Sequence, residues 1–191
     1  MSKLHWKPGN LIYPVPVVLV SCGDIKNDYN LITVCWTGTI CTNPAMCYIS
    51  LRPERYSYEM IKKTNQFVIN LTTKALAYAT DWCGVKSGRD FNKFKEMNLT
   101  CTKAQKVKSP LILESPVNIE CEVKEIKKLG SHDMFISEIV AVNADKKYIN
   151  QDNSFNFAKS KPICYSHGKY YLVGEFLGKF GFSVKKKKRK K

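Results

Sequence analysis

The 191-residue sequence has no apolar run of the about 20 residues that a membrane-spanning helix needs, so we expect no such helix. Its first apolar patch, VPVVLV at 15–20, is short and contains a proline, so we expect no secretory signal peptide. The sequence also lacks the G-x-G-x-x-G and P-loop lysine motifs of common nucleotide sites, and the G-x-S-x-G motif of many hydrolases. These absences argue against a Rossmann domain, a P-loop enzyme and a serine hydrolase.

The eight cysteines include no C-x-x-C pair, and the three histidines, His5, His132 and His167, lie far apart. This spacing is unlike that of the common zinc sites, so we expect no bound metal. Three cysteines lie inside apolar runs, where a thiol behaves as a small hydrophobic group. We therefore expect reduced, structural cysteines in a cytoplasmic protein. Cys83 and Cys164 lie beside polar turns and are better candidates for a site.

The positive charge is unevenly distributed along the chain. Of the net charge of +15, seven charges lie in the run KKKKRKK at 185–191, which leaves +8 for the rest. A run of this kind is typical of a solvated, disordered tail with non-specific affinity for nucleic acid or anionic lipid. No other segment resembles a nucleic-acid module, so we expect neither a specific nucleic-acid partner nor a membrane partner.

Short apolar segments separated by turns dominate the chain. The strongest strand signals are the β-branched and aromatic runs at 31–38, 45–52 and 67–73. Two prolines, Pro14 and Pro16, predict that the extended segment 11–22 is an edge strand.

A helix and a long hairpin complete the predicted elements. The periodicity of residues 56–66 predicts a helix with Ser57 as its N-cap. Residues 117–124 alternate between apolar and polar side chains, which predicts a half-buried strand whose polar face includes Asn118 and Glu120. Residues 134–145 would return as its hairpin partner.

The order of these elements lacks the regular strand-helix alternation of a parallel sheet, and it contains no repeat and no linker. We therefore predict a mainly β protein, an antiparallel β-barrel with inserted helices. One domain would span residues 1–184, followed by the basic tail at 185–191.

Two basic clusters are candidates for an anion-binding pocket. The segments 50–52 (SLR) and 55–57 (RYS) flank the predicted strand-to-helix junction, where backbone N–H groups and guanidinium groups suit a phosphate. A second basic loop contains Ser87, Gly88, Arg89 and Lys93. Either basic cluster alone is more typical of an ordinary solvated loop. The sequence WTG at 36–38 would add an aromatic wall, although Trp36 also fits a core aromatic residue.

Six segments together resemble the flavin reductase-like family, particularly its flavoredoxin branch. They are NLITVCWTG at 30–38, SLRPERYS at 50–57, FVINL at 67–71, GSHD at 130–133, HGKY at 167–170 and GKFGFS at 178–183. Each motif is short, and the resemblance lies in their order and spacing over about residues 10–184. It implies an FMN-binding split β-barrel of the antiparallel Greek-key type, usually a homodimer that holds FMN noncovalently near the subunit interface.

The resemblance also implies which residues bind the cofactor. Those along the isoalloxazine ring would be Asn30, Thr33, Val34, Cys35, Trp36 and Thr37, with Asn70, Leu71 and Thr72 on the following strand. Those around the phosphate would be Ser50, Leu51, Arg52 and Ser57, with Cys83, Gly84, Ser87, Gly88 and Lys93 closing that end.

Two histidines are candidate catalytic residues. Related flavin reductases have a Gly-Asp-His turn near the nicotinamide donor, whereas here Ser131 precedes His132 and Asp133 follows it. His132 is therefore either a nicotinamide-side residue or an ordinary turn histidine, and His167 either reaches the flavin edge or caps a turn.

The resemblance implies an FMN-dependent oxidoreductase that passes electrons from NAD(P)H or a redox protein to an acceptor. Two alternatives stay open. One is an FMN-binding electron carrier or flavin store without NAD(P)H turnover, and the other is a non-flavin β-barrel interaction module with a basic tail.

Overall fold

The computed structural model describes residues 2–185, so the predicted basic tail, apart from Lys185, lies outside the described residues. The strands are β1 (Val15–Pro16), β2 (Val18–Gly23), β3 (Tyr29–Val34), β4 (Thr37–Cys41), β5 (Met46–Leu51), β6 (Gln66–Leu71), β7 (Cys101–Thr102), β8 (Leu111–Ile112), β9 (Val117–Lys128), β10 (Asp133–Ala144), β11 (Ile163–Ser166) and β12 (Lys169–Leu172). The α-helices are α1 (Tyr56–Thr64), α2 (Ala77–Val85), α3 (Lys93–Glu96) and α4 (Phe157–Ser160). Single 3₁₀ turns occur at Lys74–Leu76, Lys146–Tyr148 and Phe182–Val184.

Seven strands form one antiparallel sheet in the order β3-β2-β6-β9-β10-β5-β4. A smaller sheet has the order β1-β11-β12, and β7 pairs with β8. The main core lies inside the large sheet, where α1 contributes Ile61 to a cluster that includes Val20, Ile49, Phe67 and Phe135. The predictions of a mainly β, antiparallel fold and of the hairpin formed by β9 and β10 are confirmed.

The segment with two prolines divides between two sheets. Pro16 lies in β1, an edge strand of the small sheet, as proline requires. The rest of the segment forms β2, which lies between β3 and β6 with all six residues buried, so the prediction of an edge strand is wrong there. The physical reason is that β2 itself contains no proline, so each of its residues has a backbone N–H group that can donate to a neighbouring strand.

The first half of β9 is buried on both faces, contrary to the prediction of a half-buried strand. A loop over residues 103–110 covers the outer face, and the Glu120 carboxylate accepts backbone N–H bonds from Gln105 at 2.9 Å and Lys106 at 2.6 Å. The Asn118 amide donates to Asn70 Oδ1 at 2.7 Å. These polar side chains are buried because the covering loop and the neighbouring strand satisfy their hydrogen bonds.

Helix α1 is present as predicted, but Ser57 is not its N-cap. The N-cap position is Arg55, and the Ser57 hydroxyl instead accepts a hydrogen bond from the Asn30 side-chain amide at 2.9 Å. Ser57 therefore links the start of α1 to β3, beside the cleft described below.

Candidate functional site

Three adjoining cavities form a cleft along β3, the start of α1 and the end of β5. The inner chamber, of about 160 Å³, is lined by Asn30, Ile32, Glu54, Arg55, Tyr56, Ser57, Cys83, Gly84, Val85, Lys86, Ser87, Gly88, Arg89 and Lys93. The middle chamber, of about 150 Å³, is lined by Ile32, Thr33, Val34, Cys35, Trp36, Ser50, Leu51, Arg52, Arg55 and His132. The outer cleft, of about 480 Å³, is lined by Gly9, Asn10, Leu11, Ile12, Val15, Cys35, Trp36, Thr37, Tyr48, Ser50, Leu129, Ser131, His132 and Met134. The inner and middle chambers share Ile32 and Arg55, and the middle chamber and the outer cleft share Cys35, Trp36, Ser50 and His132, so the three cavities adjoin one another.

Two glycines allow the walls of the inner chamber to approach closely. A Cβ atom at Gly88 would lie 2.3 Å from Asn30 Oδ1, a distance that no side chain tolerates. A Cβ atom at Gly84, in the last turn of α2, would lie 3.3 Å from Thr33 Cβ. The Thr33 hydroxyl in turn donates to the Thr80 carbonyl at 2.6 Å, which holds α2 against β3.

Lys93 is a buried cation in the wall of the inner chamber. Only 4% of its surface is exposed, and its Nζ donates to the Cys83 carbonyl at 2.7 Å. None of the ion pairs within residues 2–185 involves Lys93. Burial lowers the pKa of Lys93, and the nearby Arg55 guanidinium also acts to lower it. A buried ammonium without an acidic partner is costly, so this chamber favours an anionic ligand.

Further donors surround Lys93. The inner chamber includes Arg55, Ser57 and Ser87, and it lies at the N-terminal end of the nine-residue helix α1. Arg89 stacks over the Tyr56 ring at 5.5 Å and donates to the Glu54 carbonyl. Hydroxyls, guanidinium groups and helix N–H groups together suit a compact oxyanion such as phosphate.

The middle chamber brings Arg52 and His132 together through strand register. Leu51 pairs with Asp133 where β5 ends and β10 begins, and Arg52 and His132 are the next residues beyond this pair. Burial lowers the pKa of His132, and the positive charge of Arg52 lowers it further. The imidazole is therefore neutral at neutral pH and acts as a hydrogen-bonding group.

The outer cleft is mostly apolar. Its walls include Ile12, Trp36 and Met134. Tyr13 lies behind this wall, with its ring 6.3 Å from Trp36 and 4.3 Å from His167. His167 is thus one aromatic ring away from the cleft, exposed in a turn with a positive φ of 47°.

The structure brings most of the predicted residues to this cleft. Those lining it are Asn30, Thr33, Val34, Cys35, Trp36, Thr37, Ser50, Leu51, Arg52, Ser57, Cys83, Gly84, Ser87, Gly88, Lys93 and His132. Ser50 and Arg52 lie in the middle chamber rather than in the inner chamber with Ser57 and Lys93.

The structure does not bring Asn70, Leu71, Thr72 or His167 to the cleft. Asn70 and Leu71 lie on β6, which β2 separates from β3. The Asn70 amide donates to the Leu19 carbonyl at 2.9 Å inside the protein.

The cleft also contains residues outside the cofactor contacts that the resemblance implied. Arg55 and Arg89 are two of them, and both belong to the basic clusters predicted as an anion-binding pocket. Leu11 and Ile12 have no local sequence pattern that indicates a binding site, because only the tertiary fold brings the N-terminal segment to the wall of the outer cleft.

The part of the chain that the structure describes was also searched for metal-binding clusters and for membrane-spanning helices. Residues 2–185 contain no cluster of three His, Cys, Asp or Glu side chains placed to hold a metal ion. In the same residues, no helix has the length and apolar character needed to cross a bilayer. The eight cysteines are free thiols.

Comparisons with known proteins identify the family. The sequence model of the flavin reductase like domain matches residues 10–174. Flavoredoxin of Desulfovibrio vulgaris (Miyazaki F) is 30% identical, with a TM-score of 0.89 over 96% of this chain and 100% of its own. Flavoredoxin from Methanosarcina acetivorans is 26% identical, with a TM-score of 0.86 over 97% and 100%. The FMN-binding protein from Thermus thermophilus, at 19% identity, shares the fold, with a TM-score of 0.78 over 93% and 99%.

These matches span nearly the whole described chain and confirm the predicted split β-barrel. The protein therefore belongs to the flavin reductase-like family, in its flavoredoxin branch.

Proposed function

We propose that the protein binds FMN in this cleft, with the phosphate in the inner chamber and the ring toward the middle chamber, and works as an oxidoreductase. The observation that carries the proposal is the buried Lys93 ammonium, which has no acidic partner among residues 2–185 and lines a chamber with Ser57 and Ser87. A phosphate dianion would supply the missing negative charge.

The residues of the cleft fit this cofactor. The absence of a Cβ atom at Gly88 lets the backbone of the loop approach Asn30 closely in the wall of the inner chamber. Ile32, shared by the inner and middle chambers, and Trp36 offer apolar surface for a flat ring. The FMN-binding protein from Thermus thermophilus has the same fold, which supports FMN as the flavin.

When bound, FMN supplies reversible two-electron redox chemistry, and the protein supplies position and electrostatics. Lys93, Arg55 and Arg89 provide positive charge at the phosphate end. Burial raises the pKa of the Cys35 and Cys83 thiols to about 11, so both stay protonated and line the cleft as weakly polar groups rather than nucleophiles. His132 offers a neutral imidazole at the boundary of the outer cleft.

A homodimer is part of the proposal. The segment 173–184 exposes many large apolar side chains, which a second copy would cover: Val173, Phe176, Leu177, Phe180, Phe182 and Val184. Sedimentation of the purified protein should give twice the chain mass of 21.8 kDa. A monomer at micromolar concentration would contradict this part.

The test is a titration of the purified full-length protein with FMN, followed by absorbance and by quenching of free flavin fluorescence. We expect a yellow complex, and we expect Lys93→Met to weaken FMN binding by about tenfold or more, since a hydrogen bond to a charged group contributes about 1.5–3 kcal/mol. Lys95→Met is the matched control, because Lys95 is exposed on the same helix and lines no chamber. A protein that takes up no FMN would contradict the proposal and leave a non-flavin interaction module.

A second function, an electron carrier or flavin store without NAD(P)H turnover, is favoured by one observation. Ser131 stands before His132 where related reductases have aspartate. Anaerobic mixing of the FMN-loaded protein with NADH or NADPH separates the two functions. Rapid bleaching of the flavin absorbance supports a reductase with a nicotinamide donor, and an unchanged spectrum supports the carrier.

A further inference from the structure

The inner chamber has a buried floor and an exposed rim. The floor consists of buried side chains, which are those of Asn30, Ser57, Cys83 and Lys93. The rim consists of exposed side chains from two segments, Glu54 and Arg55 before α1 and Val85, Lys86 and Arg89 at and after the end of α2. A phosphate on this floor would therefore have the middle chamber on one side and the rim on the other.

The Arg89 side chain crosses from one segment of the rim to the other. Its guanidinium donates to the Glu54 carbonyl at 3.3 and 3.4 Å, and it lies over the Tyr56 ring at 5.5 Å. Tyr56 is the first residue of α1, so these contacts join the loop after α2 to the start of α1. We call Arg89 with these two contacts the Arg89 strap.

Both ends of the Arg89 strap are anchored. On one side, the backbone N–H groups of Arg89 and Asp90 donate to the hydroxyl and the carbonyl of Ser87, both at 3.2 Å. On the other side, the Tyr56 hydroxyl donates to Asp28 Oδ2 at 3.1 Å, which holds the ring under the guanidinium. A ligand group that passes between the two segments must therefore break the strap.

The inner chamber is too small for a nucleotide. Its volume of about 160 Å³ lies below the about 300 Å³ of the smaller usual ligand pockets. It has room for a compact oxyanion, but not for a phosphate that carries a nucleoside. With the flavin ring on the side of the middle chamber, a group attached beyond the phosphate can leave only through the rim.

We propose that the Arg89 strap makes the inner chamber a site for a terminal phosphate monoester, which admits FMN and excludes FAD. In FAD the same phosphate is joined through a pyrophosphate bond to AMP, and the AMP would have to displace the strap. The inference rests on the proposed function, because it takes the inner chamber as the cofactor phosphate site. It makes Arg89 a specificity-determining residue as well as a source of positive charge.

The experiment titrates the full-length protein, freed of bound flavin, with riboflavin, FMN and FAD in an isothermal titration calorimeter. Riboflavin has no phosphate, so its affinity reports on the ring contacts alone. In the native protein we expect FMN to bind about tenfold or more tightly than FAD. The reason is that FAD must break a cation–π contact and hydrogen bonds from a charged group.

In Arg89→Ala we expect FAD to bind about tenfold more tightly than it binds to the native protein, while riboflavin binding is unchanged. FMN should bind somewhat more weakly, because a positive charge near the phosphate is lost. Loss of charge alone would weaken both phosphorylated flavins, so a gain in FAD affinity identifies the strap. Arg89→Gln, with a shorter and neutral side chain, should give the same gain.

Lys86→Ala is the matched control. It removes a positive charge from the same rim, but the Lys86 ammonium lies over the Phe91 ring at 5.5 Å and does not cross to α1. We expect this variant to weaken FMN and FAD by the same factor and to keep the native ratio of the two affinities.

Four results would overturn the inference and leave flavin binding standing. In the first, the native protein binds FAD as tightly as FMN. In the second, FAD affinity does not rise in either Arg89 variant, which would leave Arg89 as a phosphate ligand only. In the third, Lys86→Ala raises FAD affinity as much as Arg89→Ala does. In the fourth, both Arg89 variants lose riboflavin binding, which would make Arg89 a structural residue. A native protein that takes up no FMN would instead overturn the proposed function, and the inference with it.

Discussion

Asn30 and Ser57 are joined by a hydrogen bond of 2.9 Å from the Asn30 side-chain amide to Ser57 Oγ. Both side chains are buried, Asn30 on β3 and Ser57 in the first turn of α1. This bond fixes two walls of the inner chamber against each other and helps to set the direction of the helix start.

We expect Asn30→Ala to lower the free energy of unfolding by about 1–3 kcal/mol, because Ser57 would lose its buried partner. The same change should weaken FMN binding, since the start of α1 would no longer be held to β3. Urea denaturation and FMN titration measure the two effects. Asn27→Ala is the control, because Asn27 makes an exposed hydrogen bond to Asp24 at 3.1 Å. Equal losses in both variants would contradict this role of Asn30.

Gly88→Ala should reduce FMN affinity by about tenfold or more and destabilise the fold by about 1–3 kcal/mol, because the new methyl group would overlap Asn30 Oδ1. Gly174→Ala is the matched control, since a Cβ atom there meets nothing within 4 Å. The double variant Asn30→Ala with Gly88→Ala should lose less stability than the two single losses together, because removing the amide relieves the overlap. Strict additivity in a double-mutant cycle would show that the overlap is not the cause.

The environment of the Glu120 carboxylate leads us to expect that the free energy of unfolding falls at acidic pH. Burial acts to raise the pKa of its carboxyl, but backbone N–H bonds from Gln105 and Lys106 prevail and hold the pKa below the ordinary value of 4.5. The folded protein therefore binds this proton more weakly than the unfolded chain does. The stabilisation is present above pH 4.5 and is lost as the pH falls through the folded value.

We expect Glu120→Gln to lower the free energy of unfolding at pH 7 by about 1–3 kcal/mol and to flatten the decline of stability below pH 4.5. Denaturation curves recorded from about pH 3 to pH 7, in steps of about one pH unit, give the unfolding midpoints that measure both effects. Glu125→Gln, at an exposed position of the same strand, should behave like the native protein. An unchanged pH profile in the Glu120 variant would refute this assignment.

Tyr58 connects α1 to the strand that follows His132. Its hydroxyl donates to Asp133 Oδ2 at 2.6 Å, and this bond, with burial, raises the pKa of Tyr58 to about 12. Tyr58→Phe should destabilise the protein by about 1–3 kcal/mol, because the buried Asp133 carboxylate would lose a donor. Thermal unfolding tests this, with Tyr78→Phe, at an exposed tyrosine, as the control. Similar unfolding temperatures for the two variants would argue against the connection.

The sequence predicted the parts of the site that depend on local chemistry. Two such parts are the junction around Arg55 and Ser57 and the loop around Gly88. Each combines turn residues with basic charge close to the start of a helix, and these signals lie within a short stretch of the sequence. The structure places these segments in one chamber.

The parts that depend on strand order were not readable from the sequence. Asn70 lies on a strand predicted correctly, but β2 inserts between that strand and β3, and no local pattern encodes this neighbour. The burial of Glu120 likewise requires the loop at 103–110 to fold back over β9, which alternation alone cannot reveal. Ile12 lines the outer cleft only through the tertiary fold.

The walls of the cleft come from segments spread along the chain from Gly9 to Met134. A fragment that lacks one of these segments therefore lacks part of the pocket, and a bound ligand would add to the free-energy cost of opening any of them. The absorbance of bound flavin would thus measure the fraction of molecules with an intact cleft. Its loss on heating would mark the temperature at which the first of these segments unfolds.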